Sequence, residues 1–214
     1  MARARVAVLI SGGGTNLQAL LDRAAAADAP FAIVQVISNR ADAGGLARAE
    51  RAGIATAVVP HRQFARREAF DEAIGAALAA ASPDLVCLAG FMRVLGPDLV
   101  EAWRDRMLNI HPSLLPAFPG LDTHRRALEA GVRVHGCSVH LVRPALDAGP
   151  IVVQGIVPVR ADDTAAELHA RVLEVEHRCY PLALEHLAGG RVRVEDERAI
   201  VSGRTLVLHP ALAG

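Results

Sequence analysis

No lysine occurs anywhere in the sequence, so all 23 basic residues are arginine. That absence excludes lysine Schiff-base chemistry and the phosphate-binding lysine of a Walker-type loop. Aromatic residues are scarce too, at 3 % with one Trp and one Tyr, which argues against a base-stacking platform for single-stranded nucleic acid. No apolar run reaches the ~18 to 20 residues of a membrane span. The short run at residues 6–10 follows two arginines as a secretory signal would, but a glycine turn ends it at once. Cys87, Cys137 and Cys179 are irregularly spaced and form no C-x-x-C pair; they read as reduced, mostly buried thiols of a cytoplasmic protein. Basic and acidic residues balance at 23 each, so no net field calls for nucleic acid or an anionic membrane.

What is present is a chain of 214 residues, long enough to bury a core unaided. Short apolar runs at 5–10, 32–37, 55–59 and 84–89 predict strands buried on both faces. Between them, residues 16–27, 45–52 and 64–81 carry helical periodicity bounded by Gly, Pro or Asp. The alternation predicts an α/β fold with a mostly parallel, Rossmann-like sheet flanked by helices and ligands at the carboxyl ends of its strands. A helix at 97–103 ends the first half, 1–103. The second half, 104–214, is expected to continue the same sheet as an antiparallel extension: a strand at 107–110, a proline-rich loop HPSLLPAFPG, a helix at 123–130, and strands at 132–142 and 151–159. A long helix follows at 164–187, with Thr164 and Glu167 as a capping box and Gly189–Gly190 as its stop, then a small terminal hairpin.

Two places carry chemistry. Ser11-Gly12-Gly13-Gly14-Thr15-Asn16 joins the first strand to a helix. Its free amides and the helix dipole suit a phosphate, while a plain turn with Thr15 or Asn16 as N-cap fits the same residues. The dinucleotide fingerprint fails, since Leu17 stands where its third glycine belongs and Ser38, Asn39 and Arg40 replace the ribose-binding acid. On the strand Met107-Leu108-Asn109-Ile110-His111, alternation sends Asn109 and His111 to one side. An amide donor beside an imidazole can stabilise an oxyanion and move a proton. Asp147, in the turn LDAGP, is the candidate partner that holds His111 oriented and protonated, although Asp is also an ordinary turn residue. His111, His124, His135 and His140 follow no compact metal-ligand spacing, and His135 and His140 point to opposite faces unless a bulge intervenes; no metal is expected.

Taken in order, SGGGTN, LAGFMRVL, LNIHPSLLPAFPG, HGCSVH and LDAGPIV resemble the phosphoribosylglycinamide formyltransferase family over nearly the whole chain. NIHPSLLP marks the wider group of enzymes that use 10-formyltetrahydrofolate. The resemblance implies the formyltransferase fold and formyl transfer from 10-formyltetrahydrofolate, a cosubstrate, to N1-(5-phospho-D-ribosyl)glycinamide in de novo purine synthesis. It makes 1–103 the phosphate-binding half and 104–214 the half with the catalytic and folate loops. It implies Gly14, Thr15 and Asn16 at the phosphate and Glu176 at the ribose. Arg67, Met92, Arg93, Val94, Leu95, Asn109 and the segment Arg143, Pro144, Ala145, Leu146 and Asp147 would meet folate, with Asn109, His111 and Asp147 catalytic. Gly13, Ala117, Asp122 and Cys137 depart from residues common in the family.

Only small-molecule partners are expected, with no nucleic acid and no membrane, in a cytoplasmic monomer or weak homodimer. The alternatives are a formyltetrahydrofolate deformylase, a methionyl-tRNA formyltransferase-like enzyme, or a non-catalytic nucleotide- or folate-binding module. The first two are expected to carry further domains for which 214 residues leave no room.

Overall fold

The computed structural model describes residues 2–212, which fall into two compact units. The first runs to Asn109 and includes Val142–Pro144; the second comprises Ile110–Leu141 and the chain from Ala145 onward. In the first unit β1 (Ala4–Ile10), β2 (Phe31–Ser38), β3 (Ala55–Val58), β4 (Leu85–Leu88) and β5 (Met107–His111) alternate with α1 (Thr15–Ala24), α2 (Gly44–Arg51), α3 (Arg67–Ala81) and α4 (Pro97–Ala102). All strand pairs are parallel, in the order β5-β4-β1-β2-β3. The chain leaves β1 towards β2 and β3, then returns to the other side of β1 for β4 and β5. That reversal opens a crevice at the carboxyl ends of β1 and β4, where such sheets bind ligands.

Val6 through Ile10 are fully buried, as an unbroken apolar run between two strands requires. The expectation fails for β3, which is exposed at both ends and half-buried between, with Val58 41 % exposed. It has β2 as its one neighbour and is an edge strand. Leu9, Ile37, Phe70, Ile74, Leu78 and Met107 form the centre of this unit's core.

Helix α1 stops at Ala24, short of the predicted residue 27. Arg23 binds the Asp28 carboxylate at 2.9 Å, and a turn closes from Ala26 to Ala29; Pro30 then disfavours helical backbone before it. Helix α3 starts at Arg67 rather than 64, because Phe64 is extended and its ring packs edge-on against Phe70 at 5.7 Å.

The second unit holds α5 (Thr123–Glu129), β6 (Val134–Leu141), β7 (Ile151–Pro158) and α6 (Ala165–Ala188). Strands β6 and β7 are antiparallel, and α6 lies along both. The capping box at Thr164 and Glu167 is formed. Two glycines make the packing possible: a Cβ at Gly136 would sit 1.8 Å from the carbonyl oxygen of Gly155, and one at Gly155 would sit 2.7 Å from the Cys179 sulfur. The terminal hairpin is β8 (Val192–Glu195) with β9 (Arg198–Val201). A further strand, β10 (Leu206–Leu208), pairs parallel with β7 and was not expected from the sequence; three residues are too few to display a period. All three cysteines are free and buried. Among the described residues no helix is long and apolar enough to cross a membrane.

Candidate active site

The glycine turn takes its shape from the chain packed behind it. Gly14 adopts a left-handed backbone (φ 72°) as the N-cap of α1, and no side chain caps the helix. The reading of Thr15 or Asn16 as N-cap is thereby corrected: α1 begins at Thr15, with Gly14 in the N-cap position. A Cβ on Gly14 would come within 2.7 Å of the Gly45 Cα, while the Gly45 N–H donates to the Gly12 carbonyl at 3.0 Å. Arg48 donates to the Gly13 carbonyl at 2.8 Å. No acidic residue occupies the first turn of α1, leaving its positive dipole end uncompensated.

The segment after β4 is held at both ends. The Met92 N–H donates to the Ser11 hydroxyl at 2.8 Å, and the Gly96 N–H to the Asp71 carboxylate at 2.8 Å. Between these ties Met92 and Val94 stand 66 % and 58 % exposed, Arg93 is exposed and Leu95 is buried. Burial pushes the Asp71 carboxyl above its usual range. Arg67 opens α3, in the same unit. Ser11 and Asp71 escaped the sequence reading, and only a carboxylate on the otherwise buried face of α3 hints at the second.

Asn109 and His111 alternate on β5 with the buried Leu108 and Ile110. His111 is 6 % exposed. Its Nε2 lies 3.0 Å from the Phe118 carbonyl oxygen, which accepts the proton there, and its Nδ1 lies 3.4 Å from Oδ2 of Asp147. Both ring nitrogens thus face oxygen acceptors, an arrangement satisfied in full by imidazolium. Asp147 sits in a left-handed turn (φ 51°), and its Oδ2 also accepts the Gly120 N–H at 2.8 Å. His140 reaches the other carboxylate oxygen at 4.0 Å; burial pushes its pKa below the usual value.

The carbonyl that faces His111 is aimed by the proline-rich loop, and Ser138 on β6 holds that loop. The Ser138 hydroxyl donates to the Ser113 carbonyl at 2.8 Å and accepts from the Leu115 N–H at 3.0 Å and from Gln154 at 2.9 Å. Behind the loop, Phe118, His135, His124 and His169 stack edge to face, with centroids 5.1 to 5.8 Å apart. Burial pushes His124 and His135 down to about 4, so both are neutral at pH 7. The register shift between Val139 and His140 skips Val152 on β7, so the extra residue lies on β7 and the alternation along β6 is unbroken. Both His135 and His140 are buried. Among the described residues no group of three or more His, Cys, Asp or Glu is placed to hold a metal ion.

Of the remaining expected residues, Glu176 lies on α6, 5 % exposed, near the Cys137 and Cys179 thiols. A hydrogen bond from Cys179, with burial, pushes the Cys137 thiol up. Arg143 is buried and donates to Asp105 at 2.7 Å. Pro144, Ala145 and Leu146 are exposed.

Residues 4–184 match the formyl transferase family, and the chain belongs to it. The phosphoribosylglycinamide formyltransferase of Escherichia coli (strain K12) is 46 % identical over 201 residues, 94 % of this chain and 95 % of that protein. The trifunctional purine biosynthetic protein adenosine-3 of Homo sapiens is 50 % identical over 198 residues, 92 % of this chain but 20 % of that protein; the chain spans about a fifth of the length of such relatives. The crystal structure of glycinamide ribonucleotide transformylase 1 from Symbiobacterium toebii superposes with a TM-score of 0.91 at 48 % identity, over 94 % of this chain and 95 % of that one.

Proposed function

We propose that this protein transfers the formyl group of 10-formyltetrahydrofolate to the primary amine of N1-(5-phospho-D-ribosyl)glycinamide, giving the N-formyl product and tetrahydrofolate in de novo purine synthesis. The observation that carries the reading is His111 set between the Phe118 carbonyl and the Asp147 carboxylate, at 3.0 and 3.4 Å. Two oxygen acceptors at the ring nitrogens match the two donors of an imidazolium, and acyl transfer to an amine gains from such a cation where negative charge develops.

In this mechanism the acceptor's nitrogen attacks the formyl carbon. The carbonyl electrons move to oxygen, where the Asn109 amide donates a hydrogen bond and the positive charge of the His111 imidazolium, whose N–H groups stay on Phe118 and Asp147, acts through space. The bond from the formyl carbon to the folate nitrogen then breaks as the oxyanion collapses. The proton lost by the attacking amine ends on the departing nitrogen, relayed through water held by Asp147. No covalent enzyme intermediate is needed, and the atoms balance without an oxidant or a metal.

The amides of Gly14, Thr15 and Asn16 take the acceptor's phosphate, a use supported by the uncapped start of α1. Glu176 takes the ribose hydroxyls. Met92, Arg93, Val94 and Leu95, with Arg67, Asn109, the backbone of Arg143, Pro144, Ala145 and Leu146, and Asp147, take the folate. Exposed apolar side chains at Met92, Val94 and Leu146 suit its flat ring system. The protein acts on these small molecules as a cytoplasmic monomer or weak homodimer, without nucleic acid or membrane. The test supplies labelled 10-formyltetrahydrofolate with glycinamide ribonucleotide, charged initiator tRNA or water alone. Label reaches the ribonucleotide alone if the reading is right; hydrolysis at a comparable rate, or transfer to tRNA, overturns it.

A further inference from the structure

A second cleft opens in the first unit; it shares Met92 and Arg93 with the folate segment but none of the residues of the phosphate turn or of Asn109, His111 and Asp147. It encloses about 510 Å³, inside the ~300–1,000 Å³ range of small-ligand pockets. Its walls follow the carboxyl ends of four strands: Ser11 after β1, Asn39 after β2, Pro60 to Arg62 after β3, and Met92 with Arg93 after β4. Gly14, Thr15 and Asn16 do not line it.

The polar floor is incomplete. Asn39 is 2 % exposed, and its Oδ1 has no hydrogen-bond partner. Its Nδ2 lies 3.2 Å from Nδ1 of His61, and that same Nδ1 lies 3.1 Å from the Asn39 carbonyl oxygen. One ring nitrogen cannot both accept from the amide and donate to the carbonyl. Whichever way the His61 proton and the amide are set, one polar edge of Asn39 is left for another group, and a buried polar edge left unmet is costly. A ligand hydroxyl meets either setting, because it both donates and accepts.

The rim is cationic. Arg40, Arg62 and Arg93 face Asp42 alone among acidic lining residues. Arg40 is committed to that carboxylate through two bonds of 2.9 and 2.7 Å, which leaves Arg62 and Arg93 for an incoming anion. Arginine suits a phosphate, whose oxygens match its forked donors. Ala41, Pro60 and Met92 supply apolar surface between the polar floor and the rim. A hydroxyl-bearing centre, an anionic end and a flat apolar portion together describe a nucleoside phosphate.

We propose that this cleft binds a nucleoside monophosphate, with a ribose hydroxyl on Asn39 and the phosphate on Arg62 and Arg93. The test needs no folate and no turnover, so it stands or falls apart from the formyl-transfer reading. Adenosine 5′-monophosphate, adenosine and inorganic phosphate are titrated calorimetrically into the full chain and into its Arg62→Gln variant. Arg62 is exposed, so the variant is expected to fold and to keep the basal kcat. The monophosphate binds more tightly than either fragment, and Arg62→Gln weakens it about tenfold, the equivalent of ~1.4 kcal/mol. Asn39→Ala, checked by its melting curve, weakens monophosphate and adenosine binding alike. The proposal is overturned if the monophosphate shows no binding at millimolar concentration, if Arg62→Gln binds it as wild type does, or if inorganic phosphate alone binds equally well.

Discussion

The Nδ1 of His111 and the Oδ2 of Asp147 lie 3.4 Å apart, with 8 % and 7 % of their side chains exposed. The carboxylate fixes the ring at Nδ1, and the Phe118 carbonyl at Nε2 keeps it from turning away. Substitution of Asp147 by Asn removes the charge but keeps an oxygen for the Gly120 N–H, and Asn tolerates the left-handed backbone at this turn. The expected outcome is an unchanged melting temperature with kcat lowered about a hundredfold or more, read in a steady-state formyl-transfer assay. Near-wild-type kcat would remove Asp147 from the mechanism.

Histidine burial sets a pH dependence of stability. His124 and His135 titrate at about 4 in the folded chain against about 6.5 when unfolded. Between these values the unfolded chain binds more protons, so stability is full above pH ~6.5 and declines as pH falls towards ~4. Urea melts at pH 7, 6 and 5 should show the decline, and a level profile would contradict neutral buried imidazoles at these positions.

Gly14→Ala places a Cβ against backbone at 2.7 Å and at φ 72°. Backbone forced from such a position costs on the order of 1–3 kcal/mol. The account expects a lower melting temperature and a higher KM for the phosphorylated acceptor, with the KM for the folate donor little changed. A matching rise in both KM values would argue against a phosphate at this turn.

Ser138→Ala leaves the buried Leu115 N–H and Ser113 carbonyl without their partner, at a cost of about 1–3 kcal/mol. Thermal melts should shift down by several degrees. Because the same loop aims the Phe118 carbonyl at His111, kcat should fall as well, while the acceptor KM holds.

The residues of the two sites differ in how far the sequence discloses them. Alternation along β5 puts Asn109 and His111 on one side before any coordinates exist, and the capping box at Thr164 is readable from spacing. Phe118 is not readable in this way. What it contributes is a carbonyl, common to every residue, and its direction depends on Ser138 and Gln154, well along the chain. The exposure of β3 is likewise a matter of sheet position, since an apolar run does not say that only one neighbour will be found. Asp71 reaches the Gly96 N–H across 25 positions of sequence, a pairing that no local pattern announces.

In this mechanism His111 supplies the positive charge that stabilises the developing oxyanion. Single-turnover formyl transfer by His111→Asn, with both substrates saturating and folding checked by thermal melt, tests it most directly. The expected rate is lower by about three orders of magnitude, the scale of a lost electrostatic stabiliser of the oxyanion. A rate within about tenfold of wild type would contradict it.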